Sequence, residues 1–124
     1  MSHRILVVED NPNNLDMLTR RLQARGYLTL SAVDGAEAIE KAQHDHPDLI
    51  VMDLSLPKVS GWDASRALKA DPATHDIPII ALSAHALKSD EQKALEAGCN
   101  SFQTKPVDMD QLLQEFQKFL TRDQ

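Results

Sequence analysis

Short apolar runs recur along the chain and alternate with longer stretches in which apolar residues return every three or four positions. The runs predict buried strands, although periodicity alone also allows a short apolar run to be part of a buried helix. The longer stretches predict amphipathic helices. The whole pattern predicts five strands alternating with five helices, and the strands fall at residues 5–8, 28–32, 49–53, 77–82 and 101–104.

Alternation of strands and helices predicts a parallel sheet whose crossovers are right-handed. The first, third and fourth runs are continuously apolar, which is typical of strands buried on both faces. The second and fifth runs mix apolar with polar residues, which indicates the outer positions of the sheet. The flavodoxin-like strand order 2-1-3-4-5 satisfies these conditions and places its switch point between the first and third strands. We therefore predict one doubly wound α/β domain over residues 1–124, with no output domain.

Several residues mark where the predicted helices begin and end. Asn11 followed by Pro12 predicts the start of the first helix, and Gly26 its end. The third helix is predicted from residue 62 to about 70 and the fourth from 87 to 97, while Asp108 can cap the last. That last helix has the clearest apolar face of the chain, formed by Leu112, Leu113, Phe116, Phe119 and Leu120.

Composition narrows the possible functions. A formal net charge of −6 argues against non-specific binding to nucleic acid or to an anionic membrane. The single cysteine, Cys99, excludes an internal disulfide and is expected to be buried. The amino terminus lacks the apolar core of a signal peptide, and no apolar run reaches membrane-spanning length. We therefore expect a cytoplasmic protein.

Five chemically active residues follow the predicted strands: Glu9, Asp10, Asp53, Ser83 and Lys105. The carboxyl ends of parallel strands meet at one rim, so these side chains are expected to converge there. Clustered carboxylates repel one another unless a cation lies between them, and a hard divalent ion such as Mg²⁺ suits such ligands. An ammonium and a hydroxyl beside the metal can bind phosphate oxygens. The arrangement favours phosphoryl transfer, with Asp53 as the nucleophile.

Four short stretches carry these residues in order at the predicted strand ends, with Gly61 downstream of the second: Val8-Glu9-Asp10-Asn11, Met52-Asp53-Leu54-Ser55-Leu56-Pro57, Ala81-Leu82-Ser83-Ala84 and Phe102-Gln103-Thr104-Lys105-Pro106-Val107. Each stretch alone is a weak signal, but the four together are highly specific. Over essentially its whole length, the chain resembles a response-regulator receiver domain of the single-domain type, from two-component signalling.

The resemblance implies a role for each site residue. Asp53 would accept a phosphoryl group from a phosphohistidine of a sensor histidine kinase or a histidine phosphotransfer protein. Asp10, Asp53 and the backbone carbonyl of Ser55 would ligate Mg²⁺, for which Mn²⁺ can substitute, and Glu9 would act at or near the metal. Ser83 and Lys105 would bind the phosphoryl oxygens.

The resemblance also implies a switch. Ser83 and the aromatic residue Phe102 would move inward on phosphorylation, and the surface of helix four, strand five and helix five would control a partner protein. The Lys105–Pro106 peptide bond is expected to be cis. Such a protein is a phospho-acceptor that catalyses only its own phosphorylation and dephosphorylation. A monomer or a weak phosphorylation-dependent dimer is expected.

Other interpretations remain open. Glu9 and Asp10 could be a solvated strand end, Ser83 a helix cap and Lys105 a surface charge. The chain could be a phosphorylation-independent adaptor of the same fold, or a receiver domain cut from a larger hybrid kinase. A flavin carrier is opposed by the acidic loop after the first strand, and a phosphatase with paired aspartates by Ser55. His85, near Ser83, is a hypothetical modulator of acyl-phosphate lifetime.

Overall fold

The computed structural model describes residues 3–54, 60–84 and 88–120. In this part of the chain, strands and helices alternate strictly. The strands are β1 (Arg4–Val8), β2 (Leu28–Ala32), β3 (Leu49–Asp53), β4 (Ile79–Ser83) and β5 (Ser101–Thr104). The helices are α1 (Pro12–Ala24), α2 (Gly35–Asp45), α3 (Gly61–Ala70), α4 (Lys88–Glu96) and α5 (Met109–Leu120).

The described strands form one parallel sheet in the order β2-β1-β3-β4-β5. This confirms the predicted flavodoxin-like order. Every residue of β3 and β4 is buried, whereas most of β2 and β5 is partly exposed. The continuous apolar runs therefore occupy the centre of the sheet, where helices cover both faces of each strand.

Two apolar layers lie on opposite faces of the sheet. One layer packs α2, α3 and α4 against alternate strand residues, including Leu6, Ile50 and Met52. The other packs α1 and α5 against the intervening residues, and there the ring of Phe116 meets that of Tyr27 edge-on, with 5.3 Å between centroids. Adjacent strand residues thus serve different layers, which follows from the two-residue period of a strand.

Side chains at the predicted positions cap two of the helices. The Asn11 side chain accepts hydrogen bonds from the backbone N–H groups of Asn13 (2.9 Å) and Asn14 (3.1 Å) at the start of α1. The Asp108 carboxylate accepts from the N–H groups of Asp110 (3.0 Å) and Gln111 (3.3 Å) at the start of α5. These caps satisfy N–H groups that have no partner within the helix.

The start of β4 differs from the prediction. The apolar run begins at Ile77, but the strand begins at Ile79 because the chain is still in a turn, where the Ile77 N–H donates to the carbonyl of Thr74 (3.0 Å). The Lys69 ammonium also donates a hydrogen bond to the carbonyl oxygen of Ile77, with 2.8 Å between nitrogen and oxygen. Cys99, as predicted, is buried, with 4% of its surface exposed.

None of the described helices has the length and apolar character that crossing a membrane requires.

Candidate functional site

The functional site lies at the rim where the strands end. Glu9 follows β1, Asp53 and Ser83 are the last residues of β3 and β4, and Lys105 follows β5. Backbone hydrogen bonds continue the sheet to this edge. The N–H of Leu54 donates to the carbonyl of Leu82 (3.0 Å), and the N–H of Lys105 donates to that of Ser83 (2.7 Å). The side chains of the site are therefore carried by hydrogen-bonded backbone.

Lys105 joins two buried carboxylates. Its Nζ donates to Oε1 of Glu9 at 2.9 Å and to Oδ2 of Asp53 at 3.1 Å. Both acids are only 2% exposed, while the Lys105 side chain keeps 24% of its surface accessible. Buried charges are costly unless they are paired and hydrogen-bonded. The two hydrogen bonds to the ammonium therefore offset part of the cost of burying these acids.

Burial and mutual repulsion change the acid–base behaviour of this group. Burial, a hydrogen bond with Asp53 and the charge of Asp53 raise the pKa of Glu9 from 4.5 to about 7, although Lys105 opposes the change. Burial disfavours the charge of Lys105, but the hydrogen bond to Glu9 and the negative charge of Asp53 outweigh it and raise the pKa of that ammonium. Glu9 therefore keeps its proton to a higher pH than an exposed glutamate does.

Three acids are arranged so that they can hold a cation. Glu9, Asp10 and Asp53 each offer a carboxylate oxygen, and these oxygens all lie within 4.8 Å of one another. Oε2 of Glu9 is buried and has no hydrogen-bond partner among the described residues. A buried acceptor without a donor is costly. A divalent ion bound by hard oxygen ligands would satisfy that atom, so the residues fit Mg²⁺ or a similar ion.

The structure locates the remaining predicted site residues in part. Ser83 is buried at the end of β4, and Phe102 in β5 is partly buried against the layer that contains α4. The Lys105–Pro106 peptide bond is cis. Ser55, predicted to provide a backbone ligand, and His85, the hypothetical modulator, lie outside the described residues.

A cavity of about 400 Å³ borders the site beside α1. Glu9 and Lys105 contribute to its wall, together with Asn14, Met17 and Val107. The cavity therefore borders the Lys105–Glu9 contact. Sequence reasoning did not identify this wall, because it forms from α1 and the segment after β5, which are far apart in the chain.

The sequence marks Gly61 only as part of a motif, but the residue contacts the site directly. It is the first residue of α3 and is buried against the backbone of Asp53 and Leu54. Its place in the motif was the available signal, while its contact with Asp53 depends on how α3 packs on the sheet.

Comparison with known proteins gives consistent matches over the chain. Residues 5–117 match the family model described as the response regulator receiver domain. The polar-differentiation response regulator DivK of Brucella ovis is 36% identical over 120 residues, which cover 97% of this chain and 98% of that protein.

Two solved structures share both fold and sequence with the chain. The receiver domain of the sensor histidine kinase PA1611 from Pseudomonas aeruginosa PAO1, with a magnesium ion coordinated in its active site cleft, is 35% identical. Its TM-score is 0.91, and the match covers 98% of this chain and 99% of that one. The second is a co-crystal structure of the Saccharomyces cerevisiae histidine phosphotransfer protein Ypd1 with the receiver domain of the response regulator Ssk1. It matches with 29% identity and a TM-score of 0.91, and the match covers 98% of this chain and 91% of that one.

Proposed function

The chain belongs to the response regulator receiver domain family, and we propose that it accepts a phosphoryl group on Asp53 from a phosphohistidine. The donor would be a sensor histidine kinase or a histidine phosphotransfer protein. The observation that supports this most strongly is the buried Asp53 carboxylate, which is hydrogen-bonded to Lys105 within a group of three acids whose oxygens lie close enough to hold one cation. Receiver domains of this family are signalling proteins and not classical enzymes.

Glu9, Asp10 and Asp53 would hold Mg²⁺, with Mn²⁺ as a substitute, and the Ser55 backbone carbonyl is a further proposed ligand. Oε2 of Glu9, which has no hydrogen-bond partner in the described part of the chain, supports this assignment. The receiver domain of PA1611 is described with magnesium in its cleft, which is consistent with the same choice of ion. When bound, the ion supplies charge neutralisation for the transferred phosphoryl group.

The proposed transfer uses the residues already in contact. A carboxylate oxygen of Asp53 forms a bond to phosphorus while the P–N bond to the donor imidazole breaks, and its electron pair stays on that nitrogen. The Lys105 ammonium, 3.1 Å from Asp53 Oδ2, would then hydrogen-bond to a phosphoryl oxygen. The Ser83 hydroxyl would donate to another. Catalysis of this kind depends mainly on positioning and on charge.

Phosphorylation would act as a switch because it replaces the single negative charge of the Asp53 carboxylate with a phosphoryl group that carries nearly two. We propose that Ser83 and Phe102 move inward in response, and that the surface of α4, β5 and α5 then controls a partner protein. The packing of Phe102 against the layer that includes the buried Ala94 of α4 supports this proposal. A change at the phosphoryl group can thus reach α4 through β5 and the end of β4.

Intact-protein mass measurement after incubation with Mg²⁺ and a small acyl-phosphate donor tests the proposal. Wild-type protein should gain one phosphoryl group, and Asp53→Asn should gain none because it lacks the nucleophilic carboxylate. The matched control is Asp16→Asn, since Asp16 is an exposed residue of α1 that pairs with Arg20. Full incorporation into Asp53→Asn would contradict the assignment. Absence of both the adduct and Mg²⁺ binding in wild-type protein would favour the phosphorylation-independent adaptor.

A further inference from the structure

Gly61 lies against the end of the strand that carries Asp53. A Cβ atom on residue 61 would overlap the backbone carbonyl oxygen of Asp53, and it would lie 2.7 Å from Cα of Leu54. It would also lie 3.0 Å from the carbonyl carbon of Asp53. These neighbours are backbone atoms, so no change of side-chain rotamer can make room. The position needs glycine because the contact is too close for any side chain.

Neither element at this contact can withdraw easily. The end of β3 is tied to β4 because the Leu54 N–H donates to the Leu82 carbonyl at 3.0 Å. The first turn of α3 is closed by its cap, in which the Ser60 side chain accepts from the Asp63 N–H at 3.2 Å. Helix α3 is anchored in turn by buried apolar residues, including Leu68. A methyl group at residue 61 must therefore displace the strand end, the helix, or both.

We infer that Gly61 is a positioning residue, which sets the place of the Asp53 carboxylate relative to Lys105 and Glu9. This inference rests on the proposed function for the role of Asp53, whereas the close contact between Gly61 and the Asp53 backbone is observed directly. Lys105 Nζ holds Glu9 and Asp53 at 2.9 Å and 3.1 Å, so a displacement of Asp53 changes one of these contacts directly. Reactive groups tolerate misplacement of only about 0.5 Å.

The experiment compares Gly61→Ala with wild-type protein and with Gly98→Ala. Gly98 is a matched control, because a Cβ there would lie 2.5 Å from Cγ of Lys69 and the residue has a φ of +98°. Gly98 precedes β5, at the end of the sheet opposite the site. Both variants should lose thermal stability, but only Gly61→Ala should change the site.

Two site readouts are measured at a temperature where circular dichroism shows each variant folded. The first is the rate of phosphoryl incorporation from a small acyl-phosphate donor at saturating Mg²⁺. The second is Mn²⁺ affinity, measured from paramagnetic broadening of the amide resonances at the rim. We expect Gly61→Ala to lower the rate by at least about tenfold, since a 1 Å misplacement can cost about 10²-fold. Its Mn²⁺ affinity should also fall, while Gly98→Ala stays within about twofold of wild type in both readouts.

Each result decides the inference. Equal rates and affinities for Gly61→Ala and wild type would overturn it, as would equal losses in the two glycine variants. A Gly61→Ala chain that does not fold even in the cold would assign Gly61 to folding and would also overturn it. If wild-type protein takes up no phosphoryl group, the proposed function fails separately. A crystal structure of Gly61→Ala then decides: lengthening of the Lys105–Asp53 contact by about 0.5 Å or more supports the inference, and an unchanged contact refutes it.

Discussion

Glu9 links the chemistry of the site to the stability of the protein. Its pKa is about 7 in the folded protein and near 4.5 in an unfolded chain. Between these values the folded state keeps a proton that the unfolded state has lost. Stability is therefore highest below the unfolded pKa and decreases as the pH rises through 7. For metal-free protein we predict a lower free energy of unfolding at about pH 8 than at about pH 5, by at most about 3 kcal/mol.

Urea unfolding in the presence of a chelator measures this dependence. Glu9→Gln should flatten it, because the amide does not titrate, whereas Glu40→Gln should leave it unchanged since Glu40 is exposed on α2. Addition of Mg²⁺ should reduce the loss at high pH, because the ion binds the deprotonated acids. A wild-type protein that becomes more stable between pH 5 and pH 8 without metal would contradict the pKa assigned to Glu9.

Replacement of Lys105 should separate metal binding from phosphoryl transfer. The ammonium lies within 3.1 Å of two carboxylates that are proposed metal ligands, so it competes with a bound cation for their charge. We predict that Lys105→Met binds Mg²⁺ more tightly than wild type. Its phosphorylation by a small acyl phosphate should nevertheless fall by about 10²-fold, because the phosphoryl oxygens lose a donor.

Isothermal titration with Mg²⁺ and intact-mass kinetics give the two quantities for Lys105→Met. The exposed helix residue Lys93 provides the control variant Lys93→Met, which should match wild type in both. If metal affinity and phosphorylation fall together in Lys105→Met, the lysine is needed to hold the acids in place and does not compete with the ion.

The convergence of the site residues was predictable, but their pairing was not. Each residue follows a strand of recognisable apolar character, and parallel topology then brings the strand ends to one rim. The sequence contains no signal that Lys105 contacts both Glu9 and Asp53, because those contacts depend on side-chain distances across three strands. The space restriction at Gly61 likewise depends on the packing of α3 against β3.

At the level of elements, capping residues locate the starts of helices, whereas burial does not locate the starts of strands. The starts of α1 and α5 follow local rules, since Asn11 and Asp108 cap the helices that they precede. The start of β4 was placed two residues too early because Ile77 is apolar for a different reason. It packs against the core from a turn, while its carbonyl accepts from Lys69. An apolar run shows that residues are buried and does not show where strand pairing begins.

The central and outer strands follow the same reasoning. The apolar runs of β3 and β4 predict burial on both faces, and the structure shows it for all their residues. The half-polar sequence of β5 predicts an outer strand, and the structure shows β5 at the edge of the sheet, where Phe102 packs against the core and Thr104 is exposed. Burial thus separates the outer strands from the central ones, and the flavodoxin-like order satisfies this separation.

Across the whole molecule, stability is distributed unevenly between the helices. Helix α5 buries Leu112, Phe116, Phe119 and Leu120, whereas Ala94 is the buried residue of α4 and the neighbouring Leu95 is 52% exposed. Segments with few buried apolar contacts open at lower free energy than the core. Helix α4 is therefore the described helix that is held least firmly, and it lies beside β5 and its Phe102.

This difference predicts where phosphorylation should be detected. Amide hydrogen exchange in unphosphorylated protein should be faster in α4 than in α5, because opening α4 exposes less apolar surface. Incubation with Mg²⁺ and an acyl phosphate should then change exchange rates in α4 and β5 more than in α1 or α2, if Ser83 and Phe102 connect the rim to those two elements as proposed. Asp53→Asn under the same conditions should show no change. Equal protection of α4 and α5, or a response confined to the rim, would mean that the switch does not use the weakly held helix.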